Sequence, residues 1–144
     1  MFLYSQNHSL VLWNDNASFL YYTNNSIEVR NFDNEVIRTL HLDSDLKFKL
    51  IEKILLGKHY TFMDKSGVVN IISKPSGMYY RSSNDTLYRI DNSYGHKMTN
   101  GSDVFVRNDT VFKFGGYGYW SNRNMFTYFD NETKEWEYYP ISPP

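Results

Sequence analysis

The fold class of this chain is clearest in the stretch Ser102-Asp-Val-Phe-Val-Arg-Asn-Asp-Thr-Val-Phe-Lys-Phe-Gly-Gly116. Apolar and polar residues alternate over 103–107 and again over 110–114, and Asn108-Asp109 separates the two runs. Alternation with a period of two is typical of a half-buried strand, and a two-residue connection of Asn and Asp is typical of a hairpin turn. The stretch therefore predicts an antiparallel hairpin.

Two more strands follow this hairpin. Met125-Phe-Thr-Tyr-Phe-Asp130 predicts a third strand, and Asn131-Glu-Thr-Lys134 predicts a turn. Glu135-Trp-Glu-Tyr-Tyr139 predicts a fourth strand that ends at Pro140, because proline cannot donate to a β-ladder. A meander of four short strands over about forty residues has the size of one β-propeller blade. The segment at about 101–140 thus predicts an all-β fold with a four-stranded antiparallel blade.

The same segment resembles the kelch repeat. Gly115-Gly116 ends an apolar strand, Phe129-Asp130 follows it, and Trp136 lies seven residues after Phe129. The family has a Tyr-Asp pair where this chain has Phe129-Asp130. The resemblance implies a kelch-like β-propeller, in which these five residues form the structural motif of the repeat.

Two weaker copies of the pattern precede this segment. The tetrapeptides Phe32-Asp-Asn-Glu35 and Phe129-Asp-Asn-Glu132 are identical. The first copy, or blade, occupies about 8–43 and the second about 58–91, and neither has the Gly-Gly pair or the corresponding Trp. We expect strands near 9–13, 17–22, 26–32 and 36–42 in the first blade, and near 60–63, 68–72, 77–81 and 86–90 in the second.

The segment 44–57 between the first two blades fits two structures. Its apolar residues at 46, 50, 51, 54 and 55 have helical spacing, with Ser44 as a candidate N-cap and Gly57 just past the end. Leu46, Phe48 and Leu50 also alternate as in a strand. An extended connection is the preferred interpretation because the surrounding sequence is β, and the helical alternative stays open.

Three blades do not close a ring. A propeller normally contains about four to eight blades, so three would leave the apolar faces of two terminal blades open. We therefore expect an incomplete ring in one single propeller segment, 1–144, which another protein chain or further blades would complete. Two copies forming one ring is one version of this hypothesis.

The loop after the second strand of the third blade is the candidate binding site. It contains Tyr117, Tyr119, Trp120 and Arg123 in a Gly-rich frame that lets side chains project. Aromatic residues and Arg dominate binding hot spots. These four residues are predicted to bind a peptide or a glycan; packing of Trp120 and one Tyr against the next blade is the structural alternative.

Composition and motifs exclude several other classes. The net charge is −1, with 15 basic and 16 acidic residues, so no basic surface for nucleic acid is expected. No apolar run is long enough to span a membrane. The chain has no Cys, which excludes the copper radical oxidases found among kelch proteins and every thiolate metal site. The four histidines and the stretch His41-Leu-Asp43-Ser-Asp45 are interpreted as structural or turn residues, so no catalytic residue, metal or cofactor is predicted.

Three functions compete on this basis. A non-catalytic module that recognises a protein or another ligand through loops on one face is the leading hypothesis. A carbohydrate-active or carbohydrate-binding propeller is the second, and a structural segment of a larger surface protein is the third. The composition, rich in Asn, Tyr and Lys, favours a bacterial protein that is exported to the periplasm or cell surface.

Overall fold

The computed structural model describes residues 8–11, 18–23, 26–42, 59–74, 76–93, 101–118, 121–122 and 125–139. This part of the chain contains β-strands and no helix, which confirms the predicted all-β class. No helix capable of crossing a membrane is found among these residues. The segment 44–57, for which helix and extended chain were both open, lies outside them.

The strands lie within two residues of their expected bounds, except for one small hairpin, β11–β12, which was expected to be loop. In chain order they are β1 (His8–Val11), β2 (Ser18–Tyr22), β3 (Ser26–Asn31), β4 (Val36–Leu42), β5 (His59–Met63), β6 (Val69–Ser73), β7 (Tyr79–Ser83), β8 (Thr86–Arg89), β9 (Asp103–Arg107), β10 (Thr110–Phe114), β11 (Tyr117–Gly118), β12 (Ser121–Asn122), β13 (Phe126–Asp130) and β14 (Glu135–Tyr138).

The strands form three antiparallel meanders, which we call units. Unit 1 contains β1–β4 and unit 2 contains β5–β8, each with neighbouring strands paired in chain order. Unit 3 contains β9, β10, β13 and β14, and the hairpin β11–β12 is inserted between its second and third strands. Apart from the β10–β13 connection, which contains this hairpin, the strands inside a unit follow one another through short connections, as expected for adjacent antiparallel strands.

Two of these turns consist of the dipeptide Asn-Asp. The φ angles are 47° and 59° at Asn84-Asp85 and 49° and 60° at Asn108-Asp109. Positive φ at both central residues is the geometry of a type I′ turn, whose twist matches that of the flanking strands. Asn and Asp tolerate this backbone region better than other residues with a Cβ. The dipeptide therefore fixes the register of the β7–β8 and β9–β10 hairpins.

A parallel ladder that the sequence does not predict joins units 1 and 2. His41 pairs with Thr86 and Leu42 with Leu87, so β4 and β8 merge the two meanders into one eight-stranded sheet. The guanidinium of Arg38 supports the joint by bonding the Asp85 carboxylate and the Gly67 carbonyl. The sheet curls until Cα atoms of its two edge strands, β1 and β5, lie within 8 Å of each other.

Two apolar cores lie on the two sides of unit 2. The first fills the curl between units 1 and 2, and the second lies between unit 2 and the four-stranded sheet of unit 3. Strand β6 is buried along its whole length because it contributes to both. The buried members of the first core are Leu20, Tyr22, Ile27, Val29, Leu40, Leu42, Val69, Ile71, Tyr80 and Leu87, and those of the second are Ile72, Tyr79, Val111, Phe129 and Trp136.

Candidate functional site

The outer side of the unit 3 sheet carries six aromatic side chains, which we call the aromatic face. Strand alternation separates them from the residues that pack on unit 2. Phe105 stacks on Phe112 with ring centroids 5.3 Å apart, and Phe126 lies 5.7 Å from Phe112 and 5.8 Å from Phe114. The full set is Phe105, Phe112, Phe114, Phe126, Tyr128 and Tyr139.

The aromatic face remains open to solvent. Phe105 is 40% exposed, Phe114 46% and Tyr139 49%, although these rings contact one another. A shallow groove of about 360 Å³ runs between Phe112, Tyr128, Tyr139 and Thr110. Contiguous apolar patches on a surface usually mark an interaction site. The other side of the same sheet packs on unit 2 in the second core, so within the described residues the aromatic face is the side of unit 3 that no other unit covers.

The predicted binding loop lies at one end of this sheet. Gly115 and Gly116 have φ of 70° and 94°, a region that glycine adopts without the strain of a Cβ. They turn the chain out of β10 into the hairpin β11–β12, where Tyr117 is 46% exposed. Tyr119, Trp120 and Arg123 lie outside the described residues. Phe114 and Phe126 form the last pair of the β10–β13 ladder. They flank this insertion in the sequence, so the predicted binding loop begins directly next to the aromatic face.

The residues on which the predicted resemblance rests have structural positions in unit 3. Trp136 and Phe129 are buried in the second core with their rings 5.4 Å apart, and the Trp136 indole N–H donates to the Gly77 carbonyl of unit 2 at 2.8 Å. The Asp130 carboxylate accepts the backbone N–H of Glu132 at 2.7 Å and so shapes the β13–β14 turn. These contacts explain why an aromatic residue, an Asp and a Trp occupy these positions.

A cleft of about 550 Å³ opens between unit 2 and unit 3, and we call it the inter-unit cleft. It lies where the β5–β6, β9–β10 and β13–β14 turns meet. Sequence reasoning missed it, because no local pattern indicates which turns of separate units face each other. Its lining residues are Phe62, Met63, Asp64, Lys65, Ser66, Asn70, Tyr79, Arg81, Val106, Asp109, Val111, Phe129 and Asn131.

Hydrogen bonds fix the charged wall of the inter-unit cleft. The Asp64 carboxylate accepts the backbone N–H groups of Ser66 and Val68 at 3.0 and 3.1 Å and the Arg81 guanidinium at 2.9 Å. Burial by itself would raise the pKa of the Asp64 carboxyl, but the hydrogen bonds outweigh it and the pKa lies below its usual value. Asp64 is therefore ionised at neutral pH, and its hydrogen bonds fix the position of its carboxylate.

Two ionisable side chains in the second core were also missed. Lys113 is 1% exposed, and its Nζ lies 3.9 Å from the centroid of the Trp136 ring with no hydrogen-bond partner. Burial lowers the pKa of Lys113 to about 7, with the nearby Asp91 opposing the shift. Burial raises the pKa of the Asp91 carboxyl against its hydrogen bonds to Ser93. The sequence signal that could have revealed Lys113 is its position in β10, where alternation predicts an inward side chain between apolar residues.

The histidine of unit 2 has a structural role. The Tyr22 hydroxyl lies 3.1 Å from His59 Nε2, which links β2 to β5 across the curl of the eight-stranded sheet. Burial, helped by the charge of Lys74, lowers the pKa of His59 to about 4, so the ring is neutral at pH 7. Among the described residues, no group of three His, Asp or Glu side chains is placed to hold a metal ion.

No protein-family model matches the chain, and no curated protein matches it either.

Proposed function

We propose that this chain is a non-catalytic binding module, a segment of a kelch-like β-propeller, whose partner is another protein that presents an apolar β-sheet. The observation that carries the proposal is the aromatic face of unit 3, whose six aromatic side chains include three that are 40–49% exposed. Aromatic residues supply most of the binding energy in protein interfaces because they bury large areas in well-packed pockets.

The packing inside the molecule supports this kind of partner. The side of unit 1 that faces unit 2 is apolar and is covered by it, and the side of unit 2 that faces unit 3 is covered in turn. The aromatic face is the corresponding side of unit 3. In stacked repeats each unit buries its apolar face on a neighbour, so a further four-stranded unit is the partner that fits it.

The opposite end of the molecule differs in chemistry. On the outer side of unit 1, the Arg30 guanidinium bonds the Glu28 carboxylate and lies 4.5 Å from the centroid of the Tyr21 ring. Removing such a charged pair from water is costly, so this side of unit 1 suits an apolar partner less well than the aromatic face does. Recognition is therefore assigned to the unit 3 end, where the aromatic face and the Tyr117 loop lie.

Light scattering on a sizing column tests the proposal with a second copy of the chain as the probe. We expect the mean mass of the wild-type chain to rise with concentration. The double variant Phe112→Ser, Phe126→Ser should stay monomeric, because it removes the centre of the aromatic face. Phe32→Ser is the matched control, since Phe32 is a highly exposed aromatic residue of unit 1. A wild-type chain that stays monomeric at every concentration would rule out a second copy as the partner, and self-association that the double variant retains would place recognition away from the aromatic face.

A further inference from the structure

We infer that the inter-unit cleft is a second binding site, which takes a neutral saccharide. Its volume of about 550 Å³ lies within the range typical of small-molecule sites. The site is separate from the aromatic face, because the two lie on opposite sides of the unit 3 sheet: Val111 and Phe129 point into the cleft, whereas Phe112 and Tyr128 lie on the aromatic face.

The floor of the cleft contains three buried residues, Tyr79, Phe129 and Asn70, which are linked through Tyr79 by ring packing and a hydrogen bond. Tyr79 contacts Phe129 edge-on with ring centroids 4.7 Å apart. The Tyr79 hydroxyl donates to Asn70 Oδ1 at 2.8 Å, and the Asn70 amide donates to the Val68 carbonyl at 2.9 Å. Both side chains are buried, and these bonds fix the floor before any ligand arrives. Among the apolar lining residues, Phe62 and Met63 are half-buried and Val106 is 43% exposed, so these three offer the accessible surface for a ligand with an apolar ring face.

The cleft has no net charge. Asp64 and Asp109 contribute two carboxylates, and Lys65 and Arg81 contribute two cations. Arg81 is already paired with Asp64, so a charged ligand would have to compete with an ion pair that the turn holds in place. A neutral ligand needs no such exchange, because hydroxyl groups both donate to carboxylates and accept from ammonium groups.

The rim supplies polar groups that are available to a ligand. Within the described part of the chain, the side chains of Lys65, Asp109 and Asn131 make no hydrogen bond or ion pair. They belong to three different turns, so they surround the opening from both units. A saccharide combines what this cleft can contact: a ring face for Phe62 and Val106, and many hydroxyls for a rim that contains donors and acceptors.

The experiment presents the full chain to an array of neutral and acidic glycans, followed by calorimetric titration with the neutral glycan that gives the strongest signal. We expect saturable binding to neutral glycans. The double variant Asp109→Asn, Asn131→Ala should weaken it by about tenfold or more, because each lost hydrogen bond to a charged or amide group is a substantial part of such a small interface. Asp33→Asn, the same charge change in an exposed turn of unit 1, should leave the affinity unchanged.

Three results would overturn the inference: no binding to any neutral glycan, binding to acidic glycans only, or neutral-glycan binding that the rim variant leaves intact. The aromatic-face variant Phe112→Ser, Phe126→Ser separates this inference from the proposed function. It should abolish self-association and retain glycan binding. Loss of glycan binding in that variant would place the sugar on the aromatic face instead of in the inter-unit cleft.

Discussion

At the residue scale, Lys113 is the side chain whose cost to the fold is clearest. The Lys113 Nζ lies over Trp136 without a hydrogen-bond partner, and Asp91, the carboxyl group whose charge acts on it, lies 3.8 Å from the Arg89 guanidinium. The Trp136 ring offsets only part of the free energy that the ammonium group loses when it is removed from water, because cation–π contacts contribute about 0.5–2 kcal/mol. We expect Lys113→Met to raise the free energy of unfolding by on the order of 2 kcal/mol at pH 7, since Met fills the same space without a charge.

The pH dependence of stability checks this assignment. The pKa of Lys113 is about 7 in the folded protein and 10.5 in the unfolded chain, so the unfolded chain binds more protons between these values. Stability should therefore rise with pH from about 7 to 10.5 in the wild type, and Lys113→Met should flatten that rise. Urea titrations across this window measure it. Equal slopes in the two proteins would show that Lys113 has access to water.

Trp136 links unit 3 to unit 2 through both a hydrogen bond and ring packing. Its indole N–H donates to the Gly77 carbonyl, and its ring stacks on Tyr79 at 6.2 Å. Trp136→Phe keeps an aromatic ring but leaves the buried carbonyl without its donor and a gap beside it. We expect a loss of about 2–3 kcal/mol in urea-induced unfolding. Phe126→Leu on the aromatic face should cost clearly less, and equal costs would contradict the buried, hydrogen-bonded role of Trp136.

At the element scale, the β13–β14 turn can be improved. Lys134 has a φ of 59° at the end of the turn, and its N–H donates to the Asp130 carbonyl at 2.9 Å. A residue with a Cβ is strained in this conformation by about 1 kcal/mol, which glycine avoids. Lys134→Gly should therefore raise the melting temperature. Thr133→Gly, at a neighbouring position without positive φ, should lower it, and a decrease in both variants would contradict the turn geometry.

The elements themselves could be predicted from the sequence because their signals are local. The alternation in 103–107 and 110–114 and the Asn108-Asp109 turn define β9 and β10 at their observed bounds. The short hairpin β11–β12 was missed because two-residue strands carry no periodic pattern. The sequence pointed to the loop at Tyr117 as a candidate site but did not predict the aromatic face. That face depends on which side of the sheet the rest of the chain covers, and no local pattern indicates this.

At the scale of the whole molecule, the unpredicted features are those that join distant residues. The parallel ladder between Leu42 and Leu87 and the indole bond from Trp136 to Gly77 each connect different units. The alternation of apolar residues predicts which side of a strand is buried. It does not predict which other unit that side packs against. The inter-unit cleft has the same origin, because the turns at Asp64 and Asp109 are far apart in sequence and meet only in the packed structure.

This packing leads to a prediction about cooperativity. Strand β6 lies in both cores: Val69 and Ile71 face unit 1, whereas Ile72 faces unit 3. Separation of unit 3 would expose Ile72 and Tyr79, so the two cores should unfold together. We expect native-state hydrogen exchange to give similar opening free energies for amides of β2 and β13, and Leu20→Ala and Val111→Ala should lower both. If Val111→Ala destabilised only the β13 amides, unit 3 would unfold on its own and the described cores would be energetically independent.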